Sequence, residues 1–194
     1  MHPISKFGRR CLFPLEKEFL PKLKEWRNAQ IEVLRQLKPL TDYDQEKWFQ
    51  QISEDDKQVL FVIMVSEQKQ KKMKLIGYCG IVSIDYKNRR GEISFLVEPG
   101  RASDNFLYKK DFLSVLYMLC EYGFGALNLN KIYTETFSFR KKHLSILEEF
   151  GFHLDGSLRE HHFTSGRYYD SLIHSMLVSE WRKKKGKIKS ELEE

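Results

Sequence analysis

Glu92 has the clearest chemical potential in this chain. It opens the alternating run Glu92–Glu98, in which Ile93, Phe95 and Val97 point one way and Glu92, Ser94, Leu96 and Glu98 the other. A carboxylate at the edge of a buried strand core is costly unless paired. An ion pair with Arg89, Arg90 or a neighbouring strand would meet that demand. Glu98 is a second carboxylate, at the strand end. Lys109 and Lys110 stand near the start of an apolar helix, where positive charge opposes the helix dipole, so an anionic partner is favoured there. His143, His161, His162 and His174 are not spaced with Cys or Asp as a metal set, and no metal is expected. His143 is read as facing solvent, and His161 and His162 alternate faces. Cys11, Cys79 and Cys120 form no Cys-x-x-Cys pair, and their odd number excludes a disulfide framework. Cys120 lies on an apolar helical face and reads as core. Ser157, Ser165 and Ser171 have no triad partners. The chemistry on offer is therefore a carboxylate that needs a partner and a cationic helix start suited to an anion.

The elements that must position these residues follow from periodicity. Residues 8–15 read as a first strand. Residues 16–28 read as a helix, with Phe19, Leu20, Leu23 and Trp26 at helical spacing. A second helix covers 42–53, capped by Thr41 or Asp42, with Trp48, Phe49 and Ile52 on one face. Val59–Val65 is a buried strand, Ser66–Lys74 a hairpin loop, and Leu75–Tyr86 the returning strand. After the Asn88–Gly91 turn comes the strand of Glu92. A long helix spans 107–126, wide enough in its apolar surface to require burial against a sheet. Lys131–Ser138 is a strand, Arg140–Phe150 a helix ended by Gly151, and Phe152–Phe163 and Tyr168–Val178 a hairpin turning at Thr164–Arg167. The order β-α-α-β-β-β-α-β-α-β-β makes a mixed α/β sheet with helices packed on it.

The 194 residues carry 33 Lys+Arg and 27 Asp+Glu, a formal net charge of +6. Residues 182–194 alone hold six basic and three acidic groups, so half of the excess sits in a tail read as frayed and solvated. That distribution does not describe a nucleic-acid-binding face. The longest apolar run, Val59–Val65, is far short of the ~20 residues of a membrane span, so no membrane partner is expected. The absence of a secretory pattern and the reduced cysteines place the chain in the cytoplasm.

Gly91-Glu-Ile-Ser-Phe-Leu-Val-Glu-Pro99, Asn130-Lys-Ile-Tyr-Thr-Glu-Thr-Phe137 and Leu144-Ser-Ile-Leu-Glu-Glu-Phe-Gly-Phe152 resemble the fourth strand, the fifth strand and the following helix of the GNAT superfamily of acyl-CoA N-acyltransferases. Leu154–His161, Gly166–Asp170 and Glu180-Trp181 are similar to the branch holding ribosomal-protein N-terminal and aminosugar N-acetyltransferases. Trp26-Arg-Asn28 and Asp44–Trp48 lean to the aminosugar side, as in pseudaminic-acid-type pathways. The resemblance implies a single GNAT-like domain over 8–182, followed by a charged tail over 183–194. Its fold would be a mixed, mostly antiparallel sheet with a splayed central strand pair and helices on both faces.

What the resemblance implies about the site is specific. Acetyl-CoA would add its pantetheine arm in the splay, against the backbone of Phe95, Leu96 and Val97. Lys109, Lys110 and Arg140 would meet its phosphates. Glu92 would be the base, and Trp26, Arg27 and Tyr168 would line the acceptor pocket, with Asp170 flanking it. The family's phosphate loop is altered: lined up from Pro99, Arg101 keeps the basic position while Ala102, Ser103, Asp104 and Asn105 replace glycines. Lined up from the helix, the alignment preferred here, Tyr108–Phe112 stands in the loop's place. Leu147 replaces a Tyr that protonates the leaving thiolate in many relatives. The implied reaction is direct acetyl transfer, through a tetrahedral intermediate, to a small primary amine, an amino group of a nucleotide-linked sugar. The alternatives are protein N-terminal acetylation and a catalytically inactive acyl-CoA-binding regulatory module. A C-terminal edge strand leaves room for a homodimer.

Overall fold

A computed structural model of the chain describes residues 2–67 and 72–193. Among the described residues eight strands form one sheet in the order β1-β2-β3-β4-β5-β6-β8-β7, in which only the β5–β6 pair is parallel. The strands are β1 (Ser5–Phe7), β2 (Arg10–Pro14), β3 (Val59–Glu67), β4 (Lys72–Asp85), β5 (Arg90–Val97), β6 (Lys131–Phe137), β7 (His153–Thr164) and β8 (Arg167–Leu177). Helices α1 (Leu20–Asn28) and α2 (Asp42–Glu54) cover one face. Across the other lie α4 (Asn105–Glu121), α5 (Lys141–Phe150) and α6 (Val178–Glu193), and the short α3 (Pro99–Ser103) leads into α4.

Alternation along β3 divides its side chains between the two cores: Phe61, Ile63 and Val65 join the α4 side, and Val62 the α1 side. α4 is buried on nearly its whole circumference, as the width of its apolar surface requires. α2 begins in a capping box, with the Thr41 side chain accepting from the Asp44 amide and Asp44 accepting from the Thr41 amide. Gly151 ends α5 at φ +106°, where a side chain would be strained, and Ser165-Gly166 turns the β7–β8 hairpin with both φ values positive.

Three local expectations are corrected. β3 and β4 extend through Glu67 and from Lys72, so most of the anticipated hairpin loop is strand, and its tip over 68–71 lies outside the described residues. The short β1 was hidden in a segment too brief to show a period. The C-terminal tail is helical rather than frayed. Trp181, Ile188 and Leu192 recur on one side of α6; Trp181 and Ile188 are buried, and Leu192 packs against the same core. The charged residues lie along its outer side, where Lys187–Glu191 and Lys189–Glu193 pair at i,i+4 spacing. No helix among the described residues is long and apolar enough to cross a membrane.

Candidate active site

The site begins where the sheet opens. β5 and β6 pair only at Arg90↔Lys131, Gly91↔Ile132 and Glu92↔Tyr133. Beyond Glu92 the strands diverge, each paired on its other side: β5 with β4 out to Gly77↔Val97, and β6 with β8 out to Phe137↔Ser171. The facing edges of 94–97 and 134–137 are left without a strand between them. Such an edge receives an extended amide chain by β-augmentation.

A cleft of about 230 Å³ occupies this fork, lined among others by Arg27, Arg35, Glu92, Phe95, Glu135 and Arg140. Glu92 is 9% exposed and carries an ion pair. The partner is not Arg89 or Arg90 but Arg35, from the segment between α1 and α2. Arg35 Nη2 lies 2.6 Å from Glu92 Oε1 and 3.4 Å from Glu135 Oε2, and donates to the Glu135 carbonyl at 3.3 Å. Burial alone would lower the Arg35 pKa, but the hydrogen bond and charge of Glu92, with Glu135, hold it above the ordinary value.

A second opening of about 370 Å³ lies beside the first, lined by Gln30, Val33, Ala102, Tyr108, Phe139, Arg140, Lys141, Lys142 and His143. Arg140 and Val33 line both. Arg140 precedes the first turn of α5 and donates to the Tyr108 hydroxyl at 3.2 Å; that hydroxyl is 2.7 Å from His143 Nδ1. His143 is therefore buried rather than solvent-facing, stacked on Phe112. Burial, with Arg140 and His174 nearby, holds its pKa well below the ordinary imidazole value. The Lys142 ammonium lies over the Tyr108 ring at 4.5 Å, buried and without a hydrogen-bond partner among the described residues. Desolvation lowers its pKa, against the pull of Asp104. Three cations line an opening that no carboxylate lines, which suits a phosphate-bearing ligand.

The α4 N-terminus offers no such seat. The Asp104 carboxylate accepts from the Phe106 and Leu107 amides, filling the positions an anion would take. Arg101 is pinned to Asp111 by two hydrogen bonds. Lys109 pairs with Glu149 at 2.7 Å and Lys110 lies over the Phe106 ring. Both face a groove beside α6, away from the fork, so the structure does not bring them together with Arg140.

The other expected site residues divide. Phe95 lines the cleft and packs on Phe112. Leu96 is core on the α1 side, and the Val97 carbonyl accepts from the Gln30 side chain at 2.8 Å. Arg27 lines the cleft, stacked on Trp48 and bonded to Gln45. Trp26 is 4% exposed in the core with Leu23 and Tyr78, a correction to its place in the acceptor wall. Tyr168 stands 61% exposed near the β7–β8 turn against Phe163, outside the lining of the cleft. Asp170 braces the same hairpin by accepting from the Glu160 amide. Leu147 is buried in the core and has no proton to give. Among the described residues no group of three or more His, Cys, Asp or Glu is placed to hold a metal ion.

A mostly antiparallel sheet with one diverging parallel pair is the fold of an acyl-CoA N-acyltransferase, and the family comparison agrees. The chain belongs to the family described as the acetyltransferase (GNAT) domain, whose model matches residues 15–173, and it is an acetyl-CoA-dependent N-acetyltransferase. It is similar to an N-acetyltransferase of unassigned activity, p20, of Bacillus licheniformis (28% identity, over 80% of this chain and 85% of the relative). It is likewise similar to the spermidine N(1)-acetyltransferase of Vibrio cholerae, with 29% identity over 86% of this chain and 90% of the relative. A crystal structure of the Vibrio cholerae spermidine N-acetyltransferase in complex with CoA and spermine superposes with a TM-score of 0.78 at 25% identity, covering 90% of this chain and 98% of that one.

Proposed function

We propose that this protein transfers the acetyl group of acetyl-CoA to a primary amine of a small polyamine. The observation that carries the reading is the position of Glu92 at the point where β5 leaves β6, with Glu135 beside it on the same guanidinium. A polycation needs carboxylates, and the fork supplies two. The expected nucleotide-linked sugar would need free cations for its phosphates. Here Arg27 is committed to Trp48 and Gln45, and Arg35 to Glu92 and Glu135. The similarity to spermidine acetyltransferases also favours the polyamine over the sugar.

Acetyl-CoA supplies the activated acetyl group. The free edge of β5 near Phe95, Leu96 and Val97 would hold its amide-bearing arm by backbone hydrogen bonds, once Gln30 releases the Val97 carbonyl. Arg140 and Lys142, with Lys141, would hold its phosphates, in place of loop amides. Glu92 takes the proton from the attacking nitrogen, which must be neutral to react. β7 leaves one edge of the sheet open, so self-association stays part of this reading.

The test is an amine panel with acetyl-CoA, read by mass spectrometry of the products. Monoacetylated spermidine or spermine is expected, at rates well above those for nucleotide-linked aminosugars and peptide N-termini. Acetylation confined to either of those classes overturns the polyamine assignment.

A further inference from the structure

Resting on that reading, we propose that Arg35 is a resident competitor of the acceptor, occupying the seat of its ammonium groups until the substrate displaces it. Arg35 Nη2 sits 2.6 Å from Glu92 Oε1, the distance at which a reacting nitrogen must stand to pass its proton. The same nitrogen reaches Glu135 at 3.4 Å, so one guanidinium covers both carboxylates. While it does so, neither can receive an amine.

The geometry also makes the cover removable. The Arg35 side chain is half exposed, reaching into the fork from outside, whereas Glu92 and Glu135 are 11% and 18% exposed at their side chains. The exposed side of the guanidinium returns to water as it leaves, which lowers the cost of parting the pair. Arg35 follows a single 3-10 turn (Ile31–Val33) in a stretch without helix or strand. That stretch is tied elsewhere: Asn28 donates to the Leu40 carbonyl and accepts from the Leu40 amide and from Gln36. Arg35 can leave the carboxylates with those ties intact. In its place Glu92 accepts the proton of the reacting ammonium, leaving the neutral amine, and Glu135 holds a second ammonium of the same molecule. The arrangement selects for acceptors with at least two positive charges, because a single ammonium replaces only part of what the guanidinium gives up.

Calorimetric titration of the full chain with spermidine tests this, using Arg35→Gln, Arg35→Lys and Glu135→Gln, each checked for an unchanged circular dichroism spectrum. Arg35→Gln is expected to bind spermidine about tenfold more tightly, a change of ~1.4 kcal/mol, and to lower its KM. Arg35→Lys, which keeps the charge, stays near wild-type affinity, and Glu135→Gln binds about tenfold more weakly. Unchanged or weaker binding by Arg35→Gln overturns the proposal. So does a fall in kcat of more than tenfold at unchanged KM, which would make Arg35 a positioning residue for Glu92. Tighter binding by Arg35→Gln without acetylation of spermidine by any variant or the wild type supports the competitor and retires spermidine as the acceptor.

Discussion

Replacing Glu92 by Gln lowers kcat for acetyl transfer by about 10²-fold or more, with acetyl-CoA affinity retained. General bases contribute roughly 10²–10⁴-fold, and Gln keeps the shape and hydrogen bonding of the side chain but cannot accept the proton. The substitution also removes the charge that holds Arg35, so the KM for the amine changes as well. Steady-state kinetics with spermidine, beside calorimetry with acetyl-CoA, separate the two effects. Turnover within threefold of wild type would leave Glu92 with the ion pair to Arg35 as its whole role.

The largest expected loss of stability lies outside the cleft, at Asp111. Its carboxylate is fully buried in α4 and is held by Arg10 from β2 and Arg101 from α3, at 2.5–3.0 Å. Asp111→Ala leaves two largely buried guanidinium groups facing each other. Removing one member of a buried ion pair costs about 3–5 kcal/mol, which lowers the melting temperature of a chain this size by about 10 °C. Thermal unfolding followed by circular dichroism checks it. Replacing all three residues by apolar side chains of similar volume should recover most of the loss, because desolvation offsets much of what a buried ion pair contributes. A change below about 1 kcal/mol in Asp111→Ala would contradict the account of this cluster.

Asp111 also shows where sequence reading stops. An Asp inside an apolar helix carries a visible signal, but nothing in the spacing of Arg10, Arg101 and Asp111 says that three elements converge on it. The order of strands and helices was legible because the periods are strong: alternation in β5, the wide apolar surface of α4, and Gly151 at a helix end. The diverging strand pair came from resemblance, since no period encodes a lost ladder. Glu92 and Arg140 were legible as candidates through their positions in the motifs that carry the resemblance. Arg35, Gln30 and Gln36 were not, because the segment between α1 and α2 has no periodicity and its side chains are ordered by long-range bonds. Lys109 and Lys110 misled for a physical reason. The dipole argument treats a helix start as solvent-facing toward a ligand, whereas here Asp104 fills the amides and Glu149 neutralises Lys109. α6 misled in the opposite direction, the apolar Ile188 and Leu192 of its tail masked by the lysines around them.

We infer that the fork between β5 and β6 holds acetyl-CoA, with its phosphates on Arg140 and Lys142 rather than on loop amides. Calorimetric titration of the full chain with acetyl-CoA tests it directly, alongside Arg140→Gln and Lys142→Gln. Micromolar binding by the wild type, weakened about tenfold or more in either variant, is the predicted result. No binding by the wild type up to millimolar acetyl-CoA would contradict it and leave the fold without its cofactor, as in a regulatory module. Undiminished binding in both variants would place the phosphates elsewhere.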